Sequence, residues 1–229
     1  SVVVVKNQLD LLHRIFHTFN SHLYYHGTPI EQLQTLNRAA EFVQQNKELE
    51  TRFMNIVKRL KLAFDICSGS ESISETEKDE IHFYLAVRSI IYKLTKGTAP
   101  DASQMNEKVK AMIQDAIESE GVEEIFKLGE DEAQEIDLFS DDYLAKLDKI
   151  KLPNTKFKLL QKVLKQAIDR MKQVNKVMGI DFSKRLEAIV QKYNERKEGD
   201  VLRSEVLEDF TNEIIELYYA LNKENDSFQ

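Results

Sequence analysis

The chain has 229 residues, 42% of them hydrophobic and 31% charged, with a formal net charge of −7 and no tryptophan. That length and apolar share suffice for a real core, in one large domain or two small ones. Seven glycines and three prolines are few, which argues against a turn-rich all-β fold and against a glycine loop that cradles phosphate.

The apolar opening Val2–Val5 stops at Lys6, far short of the roughly 20 residues that span a bilayer. No charged n-region, apolar h-region and small-residue cleavage site follow one another, so neither a membrane segment nor a secretory signal is expected. Cys67 is the only cysteine, which excludes an internal disulfide and suits a reducing cytoplasm. Position 1 is serine rather than methionine, which points to a piece of a longer protein.

In chain order, Leu9, Leu12, Phe16 and Phe19 share one face of a first helix ending near Asn20. Thr28-Pro29-Ile30-Glu31 combines a capping box with proline at the first helical position, and Leu33, Leu36, Ala40 and Val43 continue that helix inward. Phe53, Ile56, Val57, Leu60 and Phe64 predict the next, running to about Cys67. A serine-rich loop follows. Ser74-Glu75-Thr76-Glu77 then fits a second capping box, opening a helix that carries Ile81, Leu85 and Tyr92 to about Thr95. The stretch 96–103, with Gly97 and Pro100, marks a subdomain boundary. Beyond it Met105, Val109, Met112, Ile113 and Ala116 predict a helix stopped near Gly121. The acidic region to Asp142 reads as short helices and loop, and Tyr143, Leu144 and Leu147 as a brief helix before Pro153. A long helix is predicted from about Thr155 to Met178, closed by Gly179. Asp181 caps the next, with Phe182, Leu186, Ile189, Val190 and Tyr193 inward, and a last helix runs from about Val201 to Leu221. No segment alternates with period two. The expectation is an all-α, multi-helix bundle of about nine helices, in two helical subdomains, 1–97 and 98–229.

Charge is distributed unevenly along this pattern. From Asp115 to Asp142 twelve acids face one base, Lys127; from Lys146 to Lys176 ten bases face two acids, Asp148 and Asp169. Such asymmetry marks surfaces that meet charged partners. On the long predicted helix, Phe157, Leu160, Leu164, Ala167, Ile168, Met171 and Val174 share one face. Lys158, Lys162, Lys165, Lys172 and Lys176 recur at helical spacing on a roughly opposite one. At about 1.5 Å rise per residue the stripe is roughly 27 Å long, enough to follow several phosphates of a nucleic acid. A solvated outer face and internal pairing with the acidic block are the other two readings of the same lysines.

Other chemistry is thin. His13 and His17, and His22 and His26, have the spacing at which one helix grips a metal, but no third ligand accompanies either pair, so no metal is expected. Glu195-Arg196-Lys197 has the Glu-x-Lys form of metal-dependent nucleases, yet falls at a predicted helix end rather than on a strand. There is no P-loop, no G-x-S-x-G run, and no evident base beside Cys67. No catalytic residue is assigned.

Three stretches carry a family resemblance: Tyr25-His26-Gly27-Thr28-Pro29-Ile30-Glu31-Gln32-Leu33 with Leu36 to Val43; Arg52-Phe53 with Val57, Leu60, Ala63 and Phe64; and Pro153-Asn154-Thr155-Lys156 through Leu160, Leu164, Ile168, Asn175, Phe182, Leu186, Tyr193 and Arg196. In this order, from about Leu12 to Phe228, they resemble the C-terminal helical region of the R (restriction, motor) subunit of type I restriction-modification enzymes. The resemblance implies a parent with a nuclease domain and ATPase lobes that use ATP and Mg, none of whose motifs lie in this chain. It also implies that the helical region docks the motor onto the methyltransferase and specificity subunits and helps to enclose DNA, in the cytoplasm and away from membrane. A stand-alone helical nucleic-acid-binding module built on the lysine stripe is the rival.

Overall fold

Short polar side chains set where the helices begin. The computed structural model describes residues 1–96, 105–119, 145–146, 149–196 and 203–226, and among these there are nine α-helices and no strand. They are α1 (Val2–Ile15), α2 (His22–His26), α3 (Pro29–Val43), α4 (Lys47–Cys67), α5 (Glu75–Lys96), α6 (Glu107–Ser119), α7 (Pro153–Val174), α8 (Lys176–Glu195) and α9 (Arg203–Asp226).

Both capping boxes form. The Glu31 amide donates to Thr28 Oγ1 at 3.3 Å while Thr28 N–H donates to Glu31 Oε1 at 2.9 Å. At α5, the Glu77 amide donates to Ser74 Oγ at 3.1 Å and Ser74 N–H to Glu77 Oε1 at 3.0 Å. Each exchange satisfies two amide donors that a helix start otherwise leaves open. Asn46 caps α4 and Asn106 caps α6 by accepting from the amides of Leu49 and Val109 at 2.8 and 2.9 Å.

The chain falls into two compact units, Ser1–Ser119 and Glu120–Gln229. The division therefore comes after α6 rather than at Gly97. Gly97 and Pro100 lie outside the described residues; α5 ends at Lys96 and α6 belongs to the same unit. In α6 the apolar Val109, Ile113, Ala116 and Ile117 are buried, and the helix packs on α3 and α5. Buried Asn37 of α3 reinforces this by donating to the Ala116 carbonyl at 3.0 Å.

The core of the first unit is an aromatic cluster around Phe16. Its ring lies 5.4–6.0 Å from those of Phe19, Phe42, Phe53, Phe83 and Tyr84, the spacing of edge and offset contacts. Phe16 and Phe19 follow α1 rather than lying on it: the helix ends at Ile15, a turn earlier than the apolar spacing predicts. The turn still packs both rings together. At the surface Lys6 reaches Glu77 at 2.6 Å and His13 Nε2 lies 2.6 Å from Glu80, tying α1 to the first turns of α5.

In the second unit α7, α8 and α9 pack pairwise against one another. The break between α7 and α8 falls earlier than predicted. Asn175 leaves helical geometry (φ −140°, ψ 94°) and its side chain accepts from the Met178 amide at 3.1 Å, so it ends one helix and caps the next. Gly179 is thus inside α8 and is not a C-terminal cap, and Asp181 is not the N-cap. The glycine serves close approach instead: a Cβ there would meet Lys172 Cγ, and would lie 2.9 Å from the Lys172 Cα and N. Only a residue without a side chain lets α8 lie this near the α7 backbone.

Candidate functional site

The α7–α8 hairpin holds all five lysines singled out by the sequence, and it distributes them differently from a straight stripe. α7 touches both α8 and α9, so its buried arc is wider than one apolar face. In its first two turns Asn154, Thr155, Phe157, Lys158 and Leu159 are all buried. Lys158 is only 7% exposed and so is not part of an outer face. Lys162 is half-buried, and both Lys158 and Lys162 are engaged with neighbours. Lys165 is exposed. Lys172 is half-exposed, with Asp169 3.8 Å away on the preceding turn. Lys176 is exposed but opens α8 on the far side of Asn175. Of the five, Lys165, Lys172 and Lys176 therefore stay open to solvent, with exposed Arg170 beside them. The acidic block lies almost wholly outside the described residues.

At the apex the hairpin exposes carbon as well as charge. Val174 and Val177 are each 79% exposed on either side of Asn175, and Ile180 follows one turn later. The apex therefore presents apolar side chains and the Lys172 and Lys176 charges on adjoining surface.

The opposite end of the hairpin is locked by a buried polar cluster. Tyr193 of α8 donates its hydroxyl to Asn154 Oδ1 of α7 at 2.5 Å, and Arg196 Nη2 donates to the same oxygen at 2.6 Å. Arg196 Nη1 donates to the Tyr193 carbonyl at 2.6 Å, satisfying one of the last acceptors of α8. The Tyr193 ring stacks on Phe157 with centroids 3.8 Å apart and planes at 9°, and the Arg196 guanidinium lies 3.6 Å from its centroid. Two groups so close to one ring must occupy opposite faces, so Tyr193 is sandwiched between a π-stack and a cation. Arg196 is 9% exposed and committed to this cluster. Spacing placed Tyr193 on an inward face, but no periodicity predicts that it and Arg196, 39 and 42 positions from Asn154, will share that asparagine's oxygen.

No metal centre is assembled from the histidines. His13 pairs with Glu80, and His22 and His26 lie ring to ring at 4.7 Å. Among the described residues no group of three or more histidine, cysteine or acidic side chains is placed to hold an ion. Among them, too, no helix is long and apolar enough to cross a membrane.

Comparison with known proteins gives a consistent picture. A family model described as "Type I restriction enzyme HindI endonuclease subunit-like, C-terminal" matches residues 1–229. The type I restriction enzyme HindI endonuclease subunit of Haemophilus influenzae is 28% identical over 174 residues, which is 74% of this chain and 16% of that protein. A putative type I restriction enzyme MjaIXP endonuclease subunit from Methanocaldococcus jannaschii is 23% identical over 136 residues, 59% of this chain and 13% of the relative. The aligned part is thus a small fraction of the length of these relatives. No solved structure matches.

Proposed function

The chain belongs to the family of type I restriction enzyme HindI endonuclease subunit-like C-terminal regions, and from that premise we propose that it is the helical docking domain of a type I restriction endonuclease R subunit. In this reading it seats the motor on the methyltransferase and specificity subunits in the cytoplasm. The parent protein performs ATP-dependent translocation and DNA cleavage with ATP and Mg; this region supplies assembly. The observation that carries the reading is the match to a C-terminal family over all 229 residues. The exposed Val174–Val177 apex supports it as an element with surface to cover.

The test is association. The 229-residue chain is mixed with the methyltransferase–specificity complex of the same system at micromolar concentration and run on a sizing column. Co-elution that Val174→Asp/Val177→Asp abolishes is the expected result. Separate elution of the unaltered chain overturns the docking role.

Contact with the DNA backbone is the finer part of the proposal, and the lysine exposures set its scale. Five phosphate contacts would make log affinity fall against log salt with a slope near −4.5; the three open lysines give about −2.7. A salt-independent affinity, or one unchanged when Lys165, Lys172 and Lys176 become glutamate, removes DNA from the reading. Tight, salt-sensitive binding to DNA without any association with the partner complex would instead favour the stand-alone nucleic-acid-binding module.

A further inference from the structure

A second concave site lies in the first unit, away from the lysine hairpin. Residues of α2, α3 and α5, with the start of α6, line a cleft of about 140 Å³. It is too small for a nucleotide or a drug-sized ligand, which need roughly 300 Å³ or more. It is the size of one long side-chain head.

The walls define what that head should be. Tyr24 and Tyr25 stand edge to face at 4.9 Å and contribute aromatic surface. Asp79 contributes an exposed carboxylate at the rim. Gln32 donates its Nε2 to the Tyr24 carbonyl at 3.0 Å, which leaves its Oε1 as an acceptor. Asp79 is the one acidic residue among those that line the cleft. Burial first, and then Asp79, pushes the Tyr24 phenol up to about 12; burial, Tyr84, Glu80 and Asp79 raise Tyr25 further. His82, on the same wall, is held below its ordinary range by burial, with Asp79 and Glu75 opposing that and Lys78 adding to it. Lys108 is the one lining residue of opposite charge; it is exposed and on a long flexible stem.

We infer that this cleft is a receptor for a guanidinium group, an arginine side chain presented by a protein partner, held between the Asp79 carboxylate and the half-buried Tyr25 ring. Arginine fits better than lysine: its planar head stacks on an aromatic ring, is weakly hydrated, and spends several donors at once on a carboxylate and an amide oxygen. The inference rests on the docking reading only for which protein supplies the arginine. The cleft itself is tested without that protein.

The probe is acetyl-arginine amide, titrated into the 229-residue chain while the ring resonances of Tyr25 and His82 are followed by NMR. Neutral acetyl-citrulline amide, sodium acetate and the Asp79→Asn and Lys108→Ala variants serve as comparisons. Saturable shifts at both rings are expected, weakened about fivefold by Asp79→Asn, the scale of one partly exposed ion pair. Citrulline should bind at least as weakly, and Lys108→Ala should bind as well as the parent or better. Asp79 is exposed, so an unchanged melting temperature will confirm that Asp79→Asn folds. The inference is overturned if citrulline matches arginine, if Asp79→Asn binds normally, if acetate alone moves the same rings, or if the arginine shifts stay linear. Saturable arginine binding without co-elution with the partner complex would keep the cleft and remove the docking domain.

Discussion

The lock between Asn154, Tyr193 and Arg196 makes a quantitative prediction about coupling. Two donors share one acceptor, Asn154 Oδ1. Tyr193→Phe removes one donor and keeps the Phe157 stack, so it should cost the net worth of one neutral hydrogen bond, about 1 kcal/mol. Arg196→Met removes two charge-assisted hydrogen bonds, each about 1.5–3 kcal/mol, and a desolvated cation–π contact of about 2 kcal/mol. It also returns the several kcal/mol spent in burying the guanidinium, which leaves a net loss of about 2 kcal/mol. After either change Oδ1 still accepts from the other donor. The double variant strips both, so its cost should exceed the sum of the singles by about 1–3 kcal/mol, the scale of coupling within one hydrogen-bond network. Because the chain has two compact units, a single melting curve would mix their transitions. Native-state hydrogen exchange read on peptides from 153–196 isolates the hairpin. A double variant that matches the sum of its singles within about 0.5 kcal/mol would refute the shared-acceptor argument.

Gly179→Ala sets two effects against each other. Alanine inside a helix gains about 1 kcal/mol over glycine, but its Cβ would lie 2.9 Å from the Lys172 backbone, and overpacking of this kind costs about 1–3 kcal/mol. The expected result is a net loss of about 1 kcal/mol in hairpin exchange protection; a neutral or stabilised variant would refute close approach as the reason for glycine. His82 predicts a pH dependence in the first unit. Burial lowers its folded pKa below 6.5 against the opposing pull of Asp79 and Glu75, so the unfolded chain binds more protons just below pH 6.5. Its stabilising contribution is complete above that pH and is lost as pH falls through the folded value. His82→Gln should flatten the pH dependence of stability just below pH 6.5, read by hydrogen exchange on peptides of this unit, and an unchanged slope there would sink the assignment.

Helix starts were the most legible feature. Thr28, Glu31, Ser74 and Glu77 act locally, over three residues, and both boxes form as the spacing predicts. Two helix ends were misread for related reasons. Phe16 and Phe19 continue an apolar face by spacing, yet the chain turns at Phe16 and packs the two rings together from a turn. Gly179 looks like a C-terminal cap because glycine most often serves there, while the actual break is at Asn175, whose side chain caps α8. The lysine stripe failed at Lys158 because helical periodicity assigns one inner face, and α7 has neighbours on two sides. The Asn154–Tyr193–Arg196 cluster was beyond any local rule, since it depends on how the ends of two helices meet.

That cluster also bears on what the hairpin can present to a partner. The apolar faces of α7 and α8 would keep much of their contact after α8 slid along α7 by one turn, about 5.4 Å. The shared oxygen would not: a slip of that size separates Asn154 from both of its donors and takes the Tyr193 ring off Phe157. Gly179 opposes the same slip at the other end, because only there can α8 approach the Lys172 backbone. One polar lock and one steric notch therefore select a single register. The apex carrying Val174, Lys176 and Val177 is held in a fixed relation to Lys165 and Lys172. A surface ordered in advance loses less conformational freedom when it is covered, which is the physical advantage of placing an assembly contact on this hairpin.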